Sequence, residues 1–255
     1  MICVKKSLLP AGLLVLSSGA IAATAGTTDS AAANAAPDKG WESTAELGVV
    51  VTSGNTKTSS TNGKFDTNKE VEKWRFNLHA EALSSSSDNV KSAEKYLASG
   101  QANYKFNKFD YMFGLLTYNK DLFSGYEYQS TLAAGYGRRL LNDDTMTLDL
   151  EVGPGVRFSK VDTSIDPNAE ARSKAILRTA AKYRWKISDS SKFSEDLTSE
   201  ASHESSVTKS VTGLTAKVNS SLAMKATVTV TRTTHVPVGT KENDTETALT
   251  LVYSF

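Results

Sequence analysis

Polar and apolar residues alternate along most of this chain, and the alternation stops and restarts at regular intervals. In WESTAELGVVV, Trp41, Ser43, Ala45, Leu47, Val49 and Val51 occupy one phase, and Glu42, Thr44 and Glu46 the other. WRFNLHAEA sets Trp74, Phe76, Leu78, Ala80 and Ala82 against Arg75, Asn77, His79 and Glu81. MTLDLEVGPGVRF sets Met146, Leu148, Leu150, Val152, Pro154, Val156 and Phe158 against Asp149, Glu151 and Arg157. LAMKATVTV does the same with Leu222, Met224, Ala226, Val228 and Val230 against Lys225 and a run of threonines. A period of two sends successive side chains to opposite faces, the mark of a strand with one apolar face. The pattern predicts about twelve strands of roughly 10–15 residues. They fall at 41–51, 57–68, 74–84, 93–106, 111–120, 126–140, 146–159, 171–186, 192–204, 208–218, 222–233 and 245–255. Segment 111–120 admits two phases, since Tyr111, Phe113 and Leu115 compete with Met112, Leu116 and Tyr118 for the apolar face.

The connectors also alternate. TSGNT, SSSSDN, NKDLFSG, KVDTSIDPNAEA, HESSVT and THVPVGTKEN follow odd-numbered strands; NKEVEK, NKFD, LNDD, SDSS and NSS follow even-numbered ones and are shorter on average. An even number of strands with short turns at one end and longer loops at the other describes an up-and-down outer-membrane barrel. The expected fold class is therefore all-β: a closed, antiparallel, up-and-down transmembrane β-barrel with both termini on the periplasmic side.

Aromatic positions fit that frame. Trp41, Trp74, Tyr104, Phe106, Tyr111, Tyr136, Tyr183, Trp185, Phe193, Tyr253 and Phe255 fall at the short-turn ends of the strands, as a girdle at a membrane–water interface would. Tyr126, Tyr128 and Phe158 supply a thinner set at the other end. The chain closes on LTLVYSF, with Leu249, Leu251, Tyr253 and Phe255 in one phase. A last strand that pairs with the first removes the unsatisfied edge that lipid would not tolerate. Apolar residues at alternate positions, an aromatic and a final Phe also resemble the signal that hands barrels to their assembly machinery. The expected partners are outer-membrane lipid and that machinery; oligomeric state is left open.

The first residues, MICVKKSLLPAGLLVLSSGAIAA, combine Lys5 and Lys6 with a short apolar run, Leu8 to Leu16, and the small residues Ala20 and Ala22. This reads as a secretory signal peptide, 1–22, with an apolar run too short to span a bilayer as a helix. Ala23-Thr24-Ala25 offers a second cleavage site. Residues 23–40, rich in Ala, Thr and Asp, read as a flexible leader. The barrel occupies 41–255, and localisation is expected at the bacterial outer membrane after export. The only cysteine, Cys3, lies in the signal, so the exported chain is expected to carry no disulfide and no thiol ligand. Loss of Lys5 and Lys6 leaves 27 of the 29 basic residues against 28 acidic ones, a net charge of −1. No basic patch points to nucleic acid.

Several stretches carry a resemblance: WESTAELGVVVTSGNTKTSS at 41–60, KDLFSGY at 120–126, GYGRRLL at 135–141, EVGPGVRF at 151–158 and the terminal LVYSF. With them the chain resembles the salt-induced outer-membrane proteins of Gram-negative bacteria, a family whose domain has no assigned function. The likeness covers essentially everything after residue 40. It implies an outer-membrane location and a link to salt or osmotic stress in expression. It offers no catalytic residues and no cofactor.

Candidate chemistry lies on the inward face. Strand 171–186 points Arg172, Lys174, Arg178, Lys182, Arg184 and Lys186 one way. A turn centred on Asp189 sets Lys182 opposite Asp196, Arg178 opposite Glu200 and Trp185 opposite Phe193, while Asp149, Glu151 and Arg157 come from the preceding strand. Such a row belongs in the lumen, because a Lys or Arg facing lipid at the midplane costs about 2–4 kcal/mol. It reads either as an ion-pair network that fills and stiffens the barrel or as a charge-lined constriction of a narrow pore. Gly54-Asn55 in TSGNT suits a hairpin turn, with a binding loop as the alternative, and Gly153-Pro154-Gly155 suits a bulge or bend. A Ser–His lipid hydrolase built from Ser210 and His203 is a distant alternative; no residue orients His203, no metal-ligand cluster appears, and the chain is expected not to be an enzyme.

Overall fold

A computed structural model describes residues 40–53, 59–87, 90–121, 124–236 and 241–255. The signal segment, the leader up to residue 39 and most of the TSGNT connector lie outside the described residues. Twelve strands follow in order: β1 (Glu42–Ser53), β2 (Ser59–Glu70), β3 (Trp74–Ser87), β4 (Val90–Lys105), β5 (Asp110–Asp121) and β6 (Tyr126–Asn142). Then come β7 (Met146–Val161), β8 (Arg172–Lys186), β9 (Ser191–Ala201), β10 (Ser206–Lys217), β11 (Leu222–Thr233) and β12 (Asn243–Ser254). Every strand pairs antiparallel with its neighbours in sequence, and β1 pairs with β12, so the sheet is a closed barrel. The seam runs from Thr44↔Ser254 to Ser53↔Thr245. It is finished by reciprocal backbone bonds, each 3.0 Å, between Ser43 and Phe255.

The turns at one end are three or four residues long. Their side chains pin them locally. Asn107 Oδ1 accepts the N–H groups of Phe109 and Asp110 at 2.7 and 2.8 Å, and Asn219 Oδ1 accepts those of Ser221 and Leu222 at 2.9 and 2.8 Å. Asp143 accepts the Thr145 N–H at 2.8 Å. Short polar side chains bonding two residues ahead are what make Asn, Asp and Ser turn formers. The connectors at the other end run from two residues, between β3 and β4, to ten, between β7 and β8. SSSSDN is mostly strand, because β3 and β4 reach further than the alternation alone indicates. Gly125, before β6, has φ of 76°, a conformation that suits glycine.

Segment 111–120 resolves in one phase. Tyr111, Phe113 and Leu115 face inward with Ala133 and form a buried apolar cluster, while Met112, Leu116 and Tyr118 face outward. Tyr111 therefore does not join the outer girdle. Its ring lies over Gly137, where a Cβ would overlap it. The bulge expected at Gly153-Pro154-Gly155 is absent: Tyr136↔Val152 and Ala133↔Gly155 share one register. Pro154 lacks an N–H, and Gly135 and Gly153 let the two backbones close up instead; a Cβ on either would strike the opposite carbonyl.

Candidate functional site: the charged lumen

Inward positions of all twelve strands line one continuous lumen of about 1260 Å³. Its lining includes the short turns, at Asp143–Thr145, Ser190 and Asn219–Ser221. It continues up the wall to Lys95, Asn119, Gln129, Glu200, Lys209 and Glu246. Fourteen Lys or Arg side chains line it against twelve Asp or Glu. Most are paired, so the lumen is close to neutral.

Glu151 on β7 is the hub of the lower network. Its side chain is 1% exposed and accepts hydrogen bonds from Arg178 Nη1 at 3.0 Å, Lys182 Nζ at 2.9 Å, Gln101 Nε2 at 2.7 Å and Tyr111 OH at 3.1 Å. The register explains the arrangement. Glu151 stands opposite Ala180, so Arg178 and Lys182 are its two diagonal neighbours, and the small alanine leaves room for both to fold onto it. The Arg178 guanidinium also lies over the Phe113 ring, 5.6 Å from its centroid. Beside the hub, Asp149 takes Arg139 through Nε and Nη2 at 2.6 and 2.9 Å, with Arg75 of β3 at 3.6 Å. Glu200 takes Arg157, at 2.5 Å, and the Thr131 hydroxyl, at 3.2 Å.

A second network fills the upper lumen. Lys64 meets Glu81 at 3.5 Å, His79 meets Asp66 at 2.7 Å, and Lys95 of β4 meets Glu246 of β12 at 3.2 Å. On the β1–β12 side, Lys225 bonds Glu46 at 2.7 Å and Thr250 adds a hydroxyl at 3.2 Å. Several of these contacts join strands four places apart round the barrel: Lys182 to Gln101 at 2.9 Å, Arg75 to Asp149, and Lys95 to Glu246. The lumen is thus crossed by side chains at more than one level and is narrow. Lys192, Lys209 and Lys217 line it and make no ion pair among the described residues. Asn62, Asn119 and Asp196, all inward, carry buried polar atoms with no hydrogen-bond partner among the described residues, and Glu81 Oε1 has only its ion pair with Lys64.

The residues singled out from sequence divide in three. Lys182↔Asp196, Arg178↔Glu200 and Trp185↔Phe193 are the observed registers. The ion pairs leave the direct register: Arg178 and Lys182 go diagonally to Glu151 and Arg184 diagonally to Asp196 at 2.8 Å, while Arg157 of β7 reaches past β8 to Glu200 of β9. Arg172 and Lys174 are not in the lumen cluster. The β8–β9 ladder begins at Leu177↔Ala201, so both stand beyond the end of β9, and Lys174 pairs with Glu204 in the next connector. Trp41, Trp74, Phe106, Tyr136, Trp185, Tyr253 and Phe255 are exposed on the outside, and Tyr104, Tyr183 and Phe193 are partly covered by their neighbours. Ring contacts link Trp74 to Tyr104 at 5.1 Å, Tyr183 to Phe193 at 6.2 Å and Tyr253 to Phe255 at 5.7 Å. Leu249 and Leu251 face outward beside them. Ser210 and His203 are not brought together: Ser206 pairs with Ala201, which leaves Ser210 four residues down β10 from the connector that holds His203. Its hydroxyl donates to Glu195 at 2.6 Å.

Sequence reasoning missed the upper network and Gln101, Tyr111 and Arg139. The alternation already put His79 and Glu81 on the polar phase of β3. Nothing in it says that β4 and β12 face each other across the lumen.

Comparison with known proteins places this geometry. The chain is similar in fold to the NanC porin, at 7% identity over 83% of this chain and all of that one, with a TM-score of 0.56. It is similar to an outer membrane channel from Pseudomonas putida F1, at 11% identity over 89% and 100%, TM-score 0.50. The translocator domain of the autotransporter NalP from Neisseria meningitidis also matches, at 9% identity over 86% and 90%, TM-score 0.50. At such identities the likeness shows the fold alone, and the fold is that of outer-membrane barrels. In sequence the chain is 30% identical over 221 residues to the uncharacterized protein YdiY of Escherichia coli (strain K12), across 86% of this chain and 85% of that protein. Residues 45–255 match the family model described as "Protein of unknown function, DUF481", and the chain belongs to that family.

Proposed function

We propose that the chain is an integral outer-membrane barrel whose lumen is a narrow, charge-lined aqueous path for small ions and solutes. The observation that carries this reading is the set of buried polar atoms on Asn62, Asn119 and Asp196, all inward-facing, that have no hydrogen-bond partner among the described residues. Buried polar groups are hydrogen-bonded to protein or to water, so these three ask for a wet lumen. Lys192, Lys209 and Lys217, without an ion pair among the described residues, give the path a mild preference for anions. The porin and channel folds of the structural neighbours support the location and the class. Assembly proceeds through the last strand, whose outward Leu249, Leu251, Tyr253 and Phe255 present the alternating apolar face a barrel-assembly machine reads. A role in salt or osmotic stress follows the family resemblance and is tested by growth of a deletion strain at raised salt.

One observation favours a second reading. Side chains cross the lumen from β3, β4 and β8, and a barrel so braced can serve as a structural element of the envelope without conducting. Single-channel conductance of residues 23–255 in a planar bilayer separates the two. The pore reading expects reproducible steps whose anion preference falls when Lys209 becomes Gln. A chain that inserts, shows folded-barrel gel mobility and passes no current would replace it with the structural reading.

A further inference from the structure

Across β4 to β7 the outer wall carries an apolar groove of about 610 Å³. Its floor is one row of small residues: Ala102↔Gly114 and Gly114↔Ala134 stand opposite each other, and Pro154 continues the row on β7. The row above is Leu116↔Leu132 and Leu132↔Val156, and the row below is Met112↔Tyr136 and Tyr136↔Val152. Leu116, Leu132 and Met112 are each more than half exposed, so both rows stand up from the sheet as ridges. Gly114 has no local reason to be glycine. The ladder runs through it without a bulge, its φ is not positive, and a Cβ there would meet nothing within 4 Å. Glycine weakens a strand interior, and without a bulge or a close backbone the remaining reason for it is the approach of a ligand.

A cation lies in line with the groove. On β6, Ala134, Tyr136 and Arg138 share the outward phase, so Arg138 stands just past the aromatic girdle, at headgroup level. Its side chain is 56% exposed and loosely held, with Nη1 3.4 Å from Asp110, while the Tyr136 hydroxyl donates to the same carboxylate. A guanidinium has five donors in a fork that suits phosphate oxygens, and this pair occupies one side of it. Arg138 and Ala134 are four residues apart, about 13 Å along the strand and about 10 Å in depth at a tilt near 40°. The interfacial zone is about 5–7 Å thick on each side of the hydrocarbon. With Arg138 at the phosphates, the groove floor lies about 3–5 Å inside the hydrocarbon, where the first carbons of an acyl chain run.

We infer that this groove is a binding site for one phospholipid, with an acyl chain over Gly114 and Ala134 and the phosphate on Arg138. The ridges decide against a partner protein's helix. Leu116 and Met112 are four residues apart, about 13 Å between backbones, and their own side chains fill part of that gap. A helix with its side chains is about 10–12 Å across and does not enter, whereas a methylene chain does. The short-turn end, read as periplasmic, makes the occupant a lipid of the periplasmic leaflet. The inference rests on the chain being a membrane barrel and is independent of whether its lumen conducts.

The test is native mass spectrometry of the full chain, purified from membranes in mild detergent and mixed with phosphatidylethanolamine. The parent is expected to keep one lipid. Gly114→Leu and Ala134→Leu each fill the groove, and Arg138→Gln removes the charge that takes the phosphate. Each is expected to lower the lipid-bound fraction at least about fivefold. Ala226→Leu adds bulk to the outward face of β11, away from the groove, and is expected to leave that fraction unchanged. Resistance of the membranes to alkaline extraction and folded-barrel gel mobility are read on the same samples, so failure to insert or to fold shows up separately, and two groove-filling variants keep the test open if one misfolds. The inference is overturned by any of four results on folded, inserted protein. These are a parent that keeps no lipid, an equal fall in Ala226→Leu, no fall in a groove-filling variant, or no fall in Arg138→Gln.

Discussion

Replacing Glu151 by leucine is the sharpest perturbation of the lumen. The substitution keeps the volume nearly constant and removes the one carboxylate that Arg178, Lys182, Gln101 and Tyr111 share. The two cations respond differently. The Lys182 side chain is 27% exposed and can swing into the open lumen, so its share is discounted for solvent screening. Arg178 is 6% exposed, with its guanidinium held against Phe113, and cannot leave without repacking the wall. Stranding one buried charge costs about 3–5 kcal/mol, and partial access to a wet lumen puts the expected loss at the lower end, about 3 kcal/mol, or roughly a hundredfold in the folding equilibrium. Adding Arg178→Leu removes the stranded charge and is expected to restore stability to within about 1 kcal/mol of the parent. The assay is urea unfolding of the protein refolded into lipid vesicles, followed by tryptophan fluorescence. A loss below about 1 kcal/mol for Glu151→Leu alone would refute the reasoning, because it would mean that water already solvates Arg178.

Other substitutions address separate parts of the barrel. Gly137→Ala drives a methyl into the Tyr111 ring, displaces its hydroxyl from Glu151, and should cost about 1–3 kcal/mol, read as a lower temperature for loss of folded gel mobility. Deleting Phe255 removes two backbone bonds at the seam, about 1–3 kcal/mol together, yet its larger expected effect is on delivery: several-fold less folded barrel in the outer-membrane fraction of cells. Asp143, in a turn outside the membrane span, is held below the usual aspartate range by the backbone N–H groups of Met146 and Thr145 and by the Thr145 hydroxyl. A lowered folded pKa stabilises the fold above the unfolded value of about 3.9 and is lost as pH falls through the folded value. Asp143→Ala is therefore expected to unfold more readily than the parent at pH 7 and to match it in strong acid, measured as urea midpoints across that range.

Much of the fold could be read from the sequence because a barrel strand announces itself one residue at a time. The lipid-facing phase of β7 and β11 is apolar over most of its length, so both show strict alternation. The short turns spell themselves with Asn, Asp and Ser because their bonds are local. Where the rule weakened, local information ran out. The two phases of 111–120 are both apolar because the inner face there packs Tyr111, Phe113 and Leu115 against Ala133, a tertiary demand. The ion pairs escaped for a geometric reason. Register fixes which backbones are opposite, but long side chains choose among diagonal neighbours, and Ala180 decides that choice by being small. Arg172 and Lys174 obeyed the alternation and still fell outside the lumen, since the length of β9, not the phase of β8, sets the rim there. The upper network depends on Lys95 of β4 and Glu246 of β12 meeting across open space, and no local pattern records that.

The β1–β12 seam joins residues near opposite ends of the sequence, Thr44 with Ser254 and Ser53 with Thr245. Its loop-closure entropy is about the largest this chain can present, and contacts of such separation form late. Eleven hairpin ladders can zip from their turns in any order; the twelfth waits for all of them. Until it forms, β1 and β12 each present a row of bare backbone donors and acceptors, and a bilayer offers nothing to satisfy them. Insertion and closure are therefore one event for this chain, and something must shelter both edges until it occurs. A nascent barrel missing its last ten residues would hold every other ladder and still have no stable place in hydrocarbon. Closure thus acts as a check on the whole chain, made at the single ladder that local pairing cannot supply.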